Sequence, residues 1–175
     1  MPARAAARSP PHGGRETDSL ALVTVAIALG SNLGDRAAHL HGAAADLSGH
    51  LSGFRLSSIA ETEPVGVGPQ PPFLNAAAVA TTSLEARAVL DLLLAVERRH
   101  ARERPFPGAP RTLDLDLVLH GATVVEGPGL IVPHPRFRQR RFVLEPLHEL
   151  APDLRDPVTG LTVRELLERL PEDAR

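Results

Sequence analysis

The run Arg111-Thr112-Leu113-Asp114-Leu115-Asp116-Leu117 sets two carboxylates two residues apart inside a strict apolar alternation. On a β-strand, residues two apart share a face, so Asp114 and Asp116 point together while the leucines point into a core. Two aspartates so placed repel each other unless a cation lies between them. Hard oxygen ligands on a rigid strand suit Mg²⁺, whose shell is completed by water and phosphate oxygens. A half-exposed strand with a polar face accounts for the same residues, and the pattern alone does not choose between the two.

Arginines crowd both sides of this run. Arg98, Arg99, Arg102, Arg104 and Arg111 come before or at its start, and Arg136, Arg138, Arg140 and Arg141 follow His134. Guanidinium groups around a carboxylate pair are one way to hold a metal–polyphosphate, forking onto the oxygens that the metal leaves free. Arg98 and Arg99 read better as a solvated helix end favoured by the helix dipole. Phe73 and Asn75 share a strand face, setting an aromatic plate beside an amide that both donates and accepts, which suits a flat heterocycle read along its edge. Phe142 is one of few candidates for an opposing plate, and on these residues alone ordinary core packing is the better account of both rings. His39 and His41 diverge on a helix, whereas His134 sits in the rigid turn Val132-Pro133-His134-Pro135. Ser31 and Asn32, after an apolar run, suggest a phosphate loop, but without Gly-Lys-Ser/Thr there is no Walker A site.

The elements that must position these groups are legible in outline. Residues 23–29 read as a buried central strand, and Asp35 opens a helix whose Ala37, Leu40, Ala44, Leu47 and Leu51 face the sheet. Residues 54–62 read as a second strand and 63–72, dense in Pro and Gly, as irregular. Residues 73–82 make a third strand. Ser83 caps a helix with Glu85 in its first turn and Val89, Leu92, Leu93 and Val96 buried, ending before Pro105. Residues 113–119 are the clearest strand, followed by a hairpin at 122–125, a Pro-rich turn at 132–135 and short helical pieces, the last opened by Thr162-x-x-Glu165. The order strand, helix, strand, strand, helix, strand implies an α+β, ferredoxin-like fold with helices on one face of a mainly antiparallel sheet and C-terminal helical additions. Residues 21–175 form one domain, and residues 1–20 read as a disordered extension.

Composition bounds the chemistry. The chain has 175 residues, 43% of them hydrophobic, enough for one core. With no cysteine, disulfides, thiolate metal sites and cysteine nucleophiles are excluded. All 19 basic residues are arginine, so Schiff-base lysine chemistry is excluded too. A net charge of −2 gives no reason to expect nucleic acid or an anionic membrane as partner. The apolar stretch at 20–29 is too short to span a bilayer and lacks a cleavage signature, which makes a cytoplasmic protein, expected as a monomer, the reading.

Five runs in order resemble the 6-hydroxymethyl-7,8-dihydropterin pyrophosphokinases: Ala28-Leu29-Gly30-Ser31-Asn32-Leu33-Gly34, Glu61-Thr62-Glu63-Pro64-Val65-Gly66, Phe73-Leu74-Asn75-Ala76, Pro110-Arg111-Thr112-Leu113-Asp114-Leu115-Asp116 and Val132-Pro133-His134-Pro135. The resemblance implies transfer of the β,γ-diphosphate of ATP to the pterin hydroxymethyl group, with release of AMP, in folate biosynthesis. It implies that Asp114 and Asp116 hold two Mg²⁺ ions, and that Asp116 assists removal of the hydroxyl proton. It further implies that Arg102, Arg104, Arg111, His134 and Arg140 meet the phosphates, with Arg102 and Arg111 catalytic, Glu97 supporting the ATP site and Leu117 near adenine. Phe73 and Phe142 would sandwich the pterin, while Asn75 and the backbone at Thr62 and Val65 read its edge. The chain departs from the family pattern at Gly108-Ala109, where Trp-Gly is usual, and at Gly129-Leu130-Ile131, where Arg-Leu-Thr is usual. It also has Phe73 where tyrosine is common. Two rivals remain. A non-catalytic pterin-binding domain is disfavoured by the intact Asp114, Asp116, Arg111 and His134, and an arginine-rich nucleic-acid module by the acidic net charge.

Overall fold

The computed structural model describes residues 21–64, 69–100 and 109–171. The expectations for residues 1–20, Val65, Arg102 and Arg104, and for most of the loop before Pro110, lie outside the described residues.

Strand β1 (Val23–Ser31) is central, as its unbroken apolar run requires, and pairs antiparallel with β4 (Phe73–Thr82) on one side and β5 (Asp114–His120) on the other. β4 continues to β2 (Ser52–Leu56) and β3 (Ala60–Thr62), giving the order β2-β4-β1-β5 with β3 beside β2 on the same edge of β4. That is the ferredoxin-like arrangement expected. The single second strand expected at 54–62 is two strands. The ladder breaks at Ser57, whose hydroxyl accepts from Ala77 N at 2.9 Å in place of a backbone carbonyl.

Alternation along the strands builds two cores. Val25, Ile27 and Leu29 of β1, with Leu115 and Leu117 of β5, meet α1 (Arg36–Ser48) and α2 (Ala86–Arg99). Ala26, Ala77 and Val79 face α3 (Arg141–Leu150) and α4 (Val163–Glu168) instead. Helices therefore cover both faces, not one. A second apolar face on β1 and β4 demands a cover of its own, and the C-terminal additions supply it.

Local details correct several expectations. In α1 the buried positions are Leu40, Ala43 and Leu47, with Ala37 exposed and Ala44 only half-buried. Asp35 does cap this helix, accepting from Ala38 N. α2 is capped at Glu85 without a side-chain bond; Ser83 lies outside, and Thr82 Oγ1 accepts from Leu84 N. Leu92 is only half-buried. The hairpin lies at β6 (Val125–Gly127) and β7 (Leu130–Val132), later than 122–125. Its turn is Pro128-Gly129, with Gly129 at φ +71°, the backbone region glycine enters without steric cost. The capping box of Thr162 and Glu165 forms as expected. Among the described residues no helix is long and apolar enough to cross a membrane.

Candidate active site

Register explains why a hollow opens at one end of the sheet. Asp114 lies opposite Gly30 and Gly30 opposite Asn75, so these three form a row across β5, β1 and β4. The next row on the same face is Asp116, Ala28 and Ala77. Cross-strand partners share a face, so the acidic strand and the amide strand are separated by positions carrying a hydrogen or a methyl group. A Cβ at Gly30 would stand 3.0 Å from Asn75 Oδ1 and 3.7 Å from Phe73 Cδ1, so any larger residue would push the Asn75 amide from its place by a few tenths of an ångström. The residues around this hollow are Thr62, Glu63, Phe73, Asn75, Arg111, Asp114, Asp116, Arg140 and Phe142, with Val143 behind them.

Thr62, opposite Phe73 in the register, accepts from Asn75 Nδ2 at 2.6 Å. This bond turns Asn75 Oδ1 toward the hollow above Gly30, an acceptor fixed for a donor on a ligand's edge. Phe73 and Phe142 line the same cleft from β4 and from the first turn of α3. Each ring carries an arginine, with Arg111 Cζ 5.5 Å from the Phe73 centroid and Arg140 Cζ 5.5 Å from that of Phe142.

The acidic pair is held unequally. Arg111 Nη2 meets Asp114 Oδ2 at 2.9 Å. Asp116 Oδ2 stands 3.8 Å from His134 Nε2 and 3.9 Å from Arg140 Nη1, beyond hydrogen-bond reach. Burial pushes the Asp116 carboxyl above the usual carboxylate range and the charge of Asp114 adds to this, against the pull of His134, Arg140 and Arg111. Burial holds the His134 imidazole below its usual value, with Asp116 opposing. The pair is thus short of positive charge at the Asp116 end, and a divalent cation resting on both carboxylates and on ligand oxygens fits that deficit. His134 is presented by the turn after β7, where its backbone N–H is bound to Val118 O at 2.9 Å and Val132-Pro133 is a cis peptide.

Two expected site residues stand elsewhere. Leu117 is packed in the core between the sheet and α2, on the face opposite the hollow. Glu97 is buried on α2, and its Oε1 accepts from Leu115 N at 2.7 Å, so it braces the outer edge of β5. Arg98 and Arg99 are exposed at the end of α2, as a solvated helix end requires.

One residue has a different part from the one its sequence suggested. Asn32 is not a phosphate-loop donor, because its amide is consumed by two other segments of the protein. Oδ1 accepts from Arg111 N at 2.9 Å, while Nδ2 donates to Gln70 Oε1 at 3.0 Å and Pro71 O at 3.2 Å. Its backbone N–H also donates to Arg111 O at 3.1 Å. Asn32 therefore clamps the end of β1, the entry to β4 and the arginine before β5 into one rim. The signal available beforehand was only that an amide, unlike an ionised carboxylate, both donates and accepts, and offers two N–H donors where a hydroxyl offers one.

Comparison with known proteins agrees with this geometry. A family model described as 7,8-dihydro-6-hydroxymethylpterin-pyrophosphokinase matches residues 26–152. The 2-amino-4-hydroxy-6-hydroxymethyldihydropteridine pyrophosphokinase of Bacillus subtilis is 43% identical over 136 residues, 77% of this chain and 81% of that one. The protein of the same name from Pseudomonas aeruginosa is 41% identical over 150 residues, 84% of this chain and 91% of the other. Among solved structures, wild-type Plasmodium falciparum HPPK-DHPS with pterin and p-hydroxybenzoate superposes with a TM-score of 0.68 at 14% identity. The overlap covers 87% of this chain and 44% of that longer one, a likeness of fold. The matched stretch runs from the middle of β1 to the end of α3 and includes every strand that walls the cleft; the chain belongs to the 7,8-dihydro-6-hydroxymethylpterin-pyrophosphokinase family.

Proposed function

We propose that the cleft over Gly30 is where this chain carries out its family's reaction, with Asp114 and Asp116 at the transferring phosphate and the Phe73, Asn75 and Phe142 group holding the pterin. The reaction is transfer of diphosphate from ATP to the hydroxymethyl group of 6-hydroxymethyl-7,8-dihydropterin, a step of folate biosynthesis. The observation that carries the residue assignment is the convergence of a carboxylate pair, two aromatic rings and a fixed amide acceptor on one cleft.

Magnesium held by Asp114 and Asp116 would supply charge neutralisation of the polyphosphate and polarisation of its oxygens. The remaining work falls to the chain itself. Phe73 and Phe142 clasp the flat ring, and Asn75 Oδ1 accepts from its polar edge. Arg111, His134 and Arg140 ring the carboxylates, so a phosphate chain lying there meets forked donors along its length. The hydroxymethyl oxygen attacks the β-phosphorus, the bond from that phosphorus to the α,β-bridging oxygen breaks, and AMP leaves. The hydroxyl proton passes to the Asp116 carboxylate, which stands in the same cleft as the rings that hold the pterin. Most of the acceleration comes from alignment and charge placement.

The test is AMP release from ATP and Mg²⁺ with and without 6-hydroxymethyl-7,8-dihydropterin. Pterin-dependent AMP with a diphosphorylated pterin is the expected result. A folded protein that binds pterin and releases no AMP would make it a binding domain only.

A further inference from the structure

Arg140 and Phe142 reach the cleft from the end of a short turn rather than from the sheet, so something must fix that turn. It begins at His134, which is tied to β5 through Val118 O, passes through one 3-10 turn at Phe137–Gln139, and ends at Arg140, whose carbonyl accepts from Leu144 N in α3. From the middle of the turn Arg138 reaches away from the cleft to Asp156, on the loop between α3 and α4. Both guanidinium contacts are short, Nε to Oδ2 at 2.7 Å and Nη2 to Oδ1 at 2.8 Å, a two-pronged fork. Asp156 is fully buried, and its oxygens also accept from Val158 N and Thr159 Oγ1. Its own backbone is closed into the loop by Asp156 N to Leu161 O at 2.9 Å and Gly160 N to Asp156 O at 2.8 Å. The Arg138 guanidinium also lies 4.8 Å from the centroid of the Phe137 ring, itself without solvent exposure.

This arrangement fixes Arg138 far more tightly than holding down a tail requires. Charge, fork geometry and an aromatic floor all bear on one side chain, two residues before Arg140. A pair of this kind, with Asp156 buried and Arg138 half-buried, adds little net stability compared with apolar packing, and the best-attested use of buried ionic groups is to select one arrangement among several. Asp156 also lies beyond residues 26–152, the stretch matched by the family model, so the brace comes from outside the matched part of the chain.

We propose that Asp156 is a positioning residue of the transfer site: through Arg138 it sets where Arg140 and His134 stand about Asp116 and how Phe142 faces Phe73. The inference rests on the functional reading above and adds to it a control point on the far side of α3. Losing the fork leaves the turn to its two ends, its own backbone bonds and the buried Phe137 ring, and a shift of a fraction of an ångström at Arg140 is enough to spoil alignment along the phosphate chain.

The experiment is a double-mutant cycle on the full chain, with every variant assayed well below its own melting temperature. Asp156→Asn is expected to lower kcat about tenfold, because alignment and not affinity is lost, with the KM for ATP changed less than about threefold. In an Arg140→Ala background the same substitution is expected to cost clearly less, about threefold or under, since one of the side chains it positions is gone while His134 and Phe142 remain. Arg138→Lys, which keeps the charge and loses the fork, is expected to fall between wild type and Asp156→Asn, and it carries the cycle if Asp156→Asn does not fold. A further readout is independent of turnover. The chain has no tryptophan, so Phe142→Trp is a single fluorophore whose emission should shift to the red and whose anisotropy should fall when Asp156→Asn is added. Wild-type kcat in folded Asp156→Asn, or an equal loss in both backgrounds, overturns the positioning role. No AMP from the wild-type chain overturns the reaction instead, and an unmoved Trp signal then overturns the brace as well.

Discussion

Asn32→Ala should cost this protein both stability and turnover, for a countable reason. The side chain is 1% exposed and makes three hydrogen bonds, to Arg111 N, Gln70 Oε1 and Pro71 O. Each bond contributes about 1 kcal/mol net, and an N–H left unpaired out of water costs about 1–3 kcal/mol more. The loss is carried mainly by Arg111 N and Pro71 O, backbone groups that cannot swing to another partner as a side chain can. The expected total is roughly 2–4 kcal/mol, which for a chain of this length lowers the melting temperature by roughly 5–15 °C. Because the released segments carry Arg111 and lead into Phe73, kcat/KM should fall at least about tenfold at temperatures where the variant is fully folded. Asn32→Asp separates the two halves of the clamp. It keeps an acceptor for Arg111 N but sets a carboxylate against Pro71 O, so it should be destabilised at neutral pH. Proximity to that carbonyl raises the carboxyl's proton affinity in the folded state, so the deficit should shrink as pH falls and the protonated group donates again. Thermal and urea melts with steady-state AMP assays decide it. An Asn32→Ala protein that melts within about 2 °C of wild type and keeps its kcat/KM would show that the clamp holds nothing.

Asp114→Asn and Asp116→Asn should each lower turnover about a hundredfold or more while the fold persists, because Leu115 and Leu117 still face the core. For Asp116→Asn the melt should be unchanged or slightly raised, since burial already disfavours that charge; near-normal turnover in both variants refutes the metal assignment. Phe73→Ala should weaken pterin binding, followed by titration calorimetry, much more than ATP binding, and equal losses would mark the ring as structural. Gly42→Ala should not bring the gain of about 1 kcal/mol usual in mid-helix. Its Cβ would stand 2.6 Å from His100 Cε1, so the gain should appear only in a His100→Ala background, and an equal gain in both refutes the contact. Burial would raise the Asp156 carboxyl, but its hydrogen bonds with Arg138, Thr159 and Val158 and the Arg138 charge outweigh this and hold it below the usual range. Its ionised form therefore stabilises the fold above ordinary carboxylate pKa values and stops doing so as pH falls through the lowered one. The gap in urea stability between wild type and Asp156→Asn should be full at pH 7 and close in strong acid.

What could be read beforehand was whatever depends on period. The alternation at 113–119 gave the acidic strand and its buried leucines, and the apolar run at 23–29 gave the central strand. Asp114, Asp116, Phe73, Asn75, Phe142 and Arg140 all meet in the cleft, as their types and the family resemblance implied. What escaped was whatever depends on register or on a particular amide. Nothing in a linear pattern says that Gly30 falls between Asp114 and Asn75, which is why the sequence reads as a strand only to residue 29 and the glycine does not read as the floor of a site. Ser57 resembles any other strand residue until its hydroxyl takes a ladder bond. Ser83 looked the better cap than Glu85 because capping preference was weighed without knowing where the backbone turns. Leu117 carries an apolar side chain on a strand beside the site, and only its face, set by parity from Asp116, assigns it to the core.

The two faces of β5 explain how chemistry and stability coexist on seven residues. Leu115 and Leu117 bury against the first core, and the edge N–H of Leu115 is closed by Glu97, so this end of the strand is held without help from its acidic side. Asp114 and Asp116 are then free to carry charges, one of which burial disfavours, while Val118 and Leu119 further along the strand pack into the second core. The same logic places the aromatic and arginine groups on α3 and its preceding turn. These belong to the second core, built on Ala26, Ala77 and Val79, whose small side chains bring the helix close to the sheet except over the hollow. A site assembled between two independently packed layers can shift one wall against the other without unfolding either. Substitutions at the Arg138–Asp156 brace therefore should move activity more than they move the cooperative melt of the sheet.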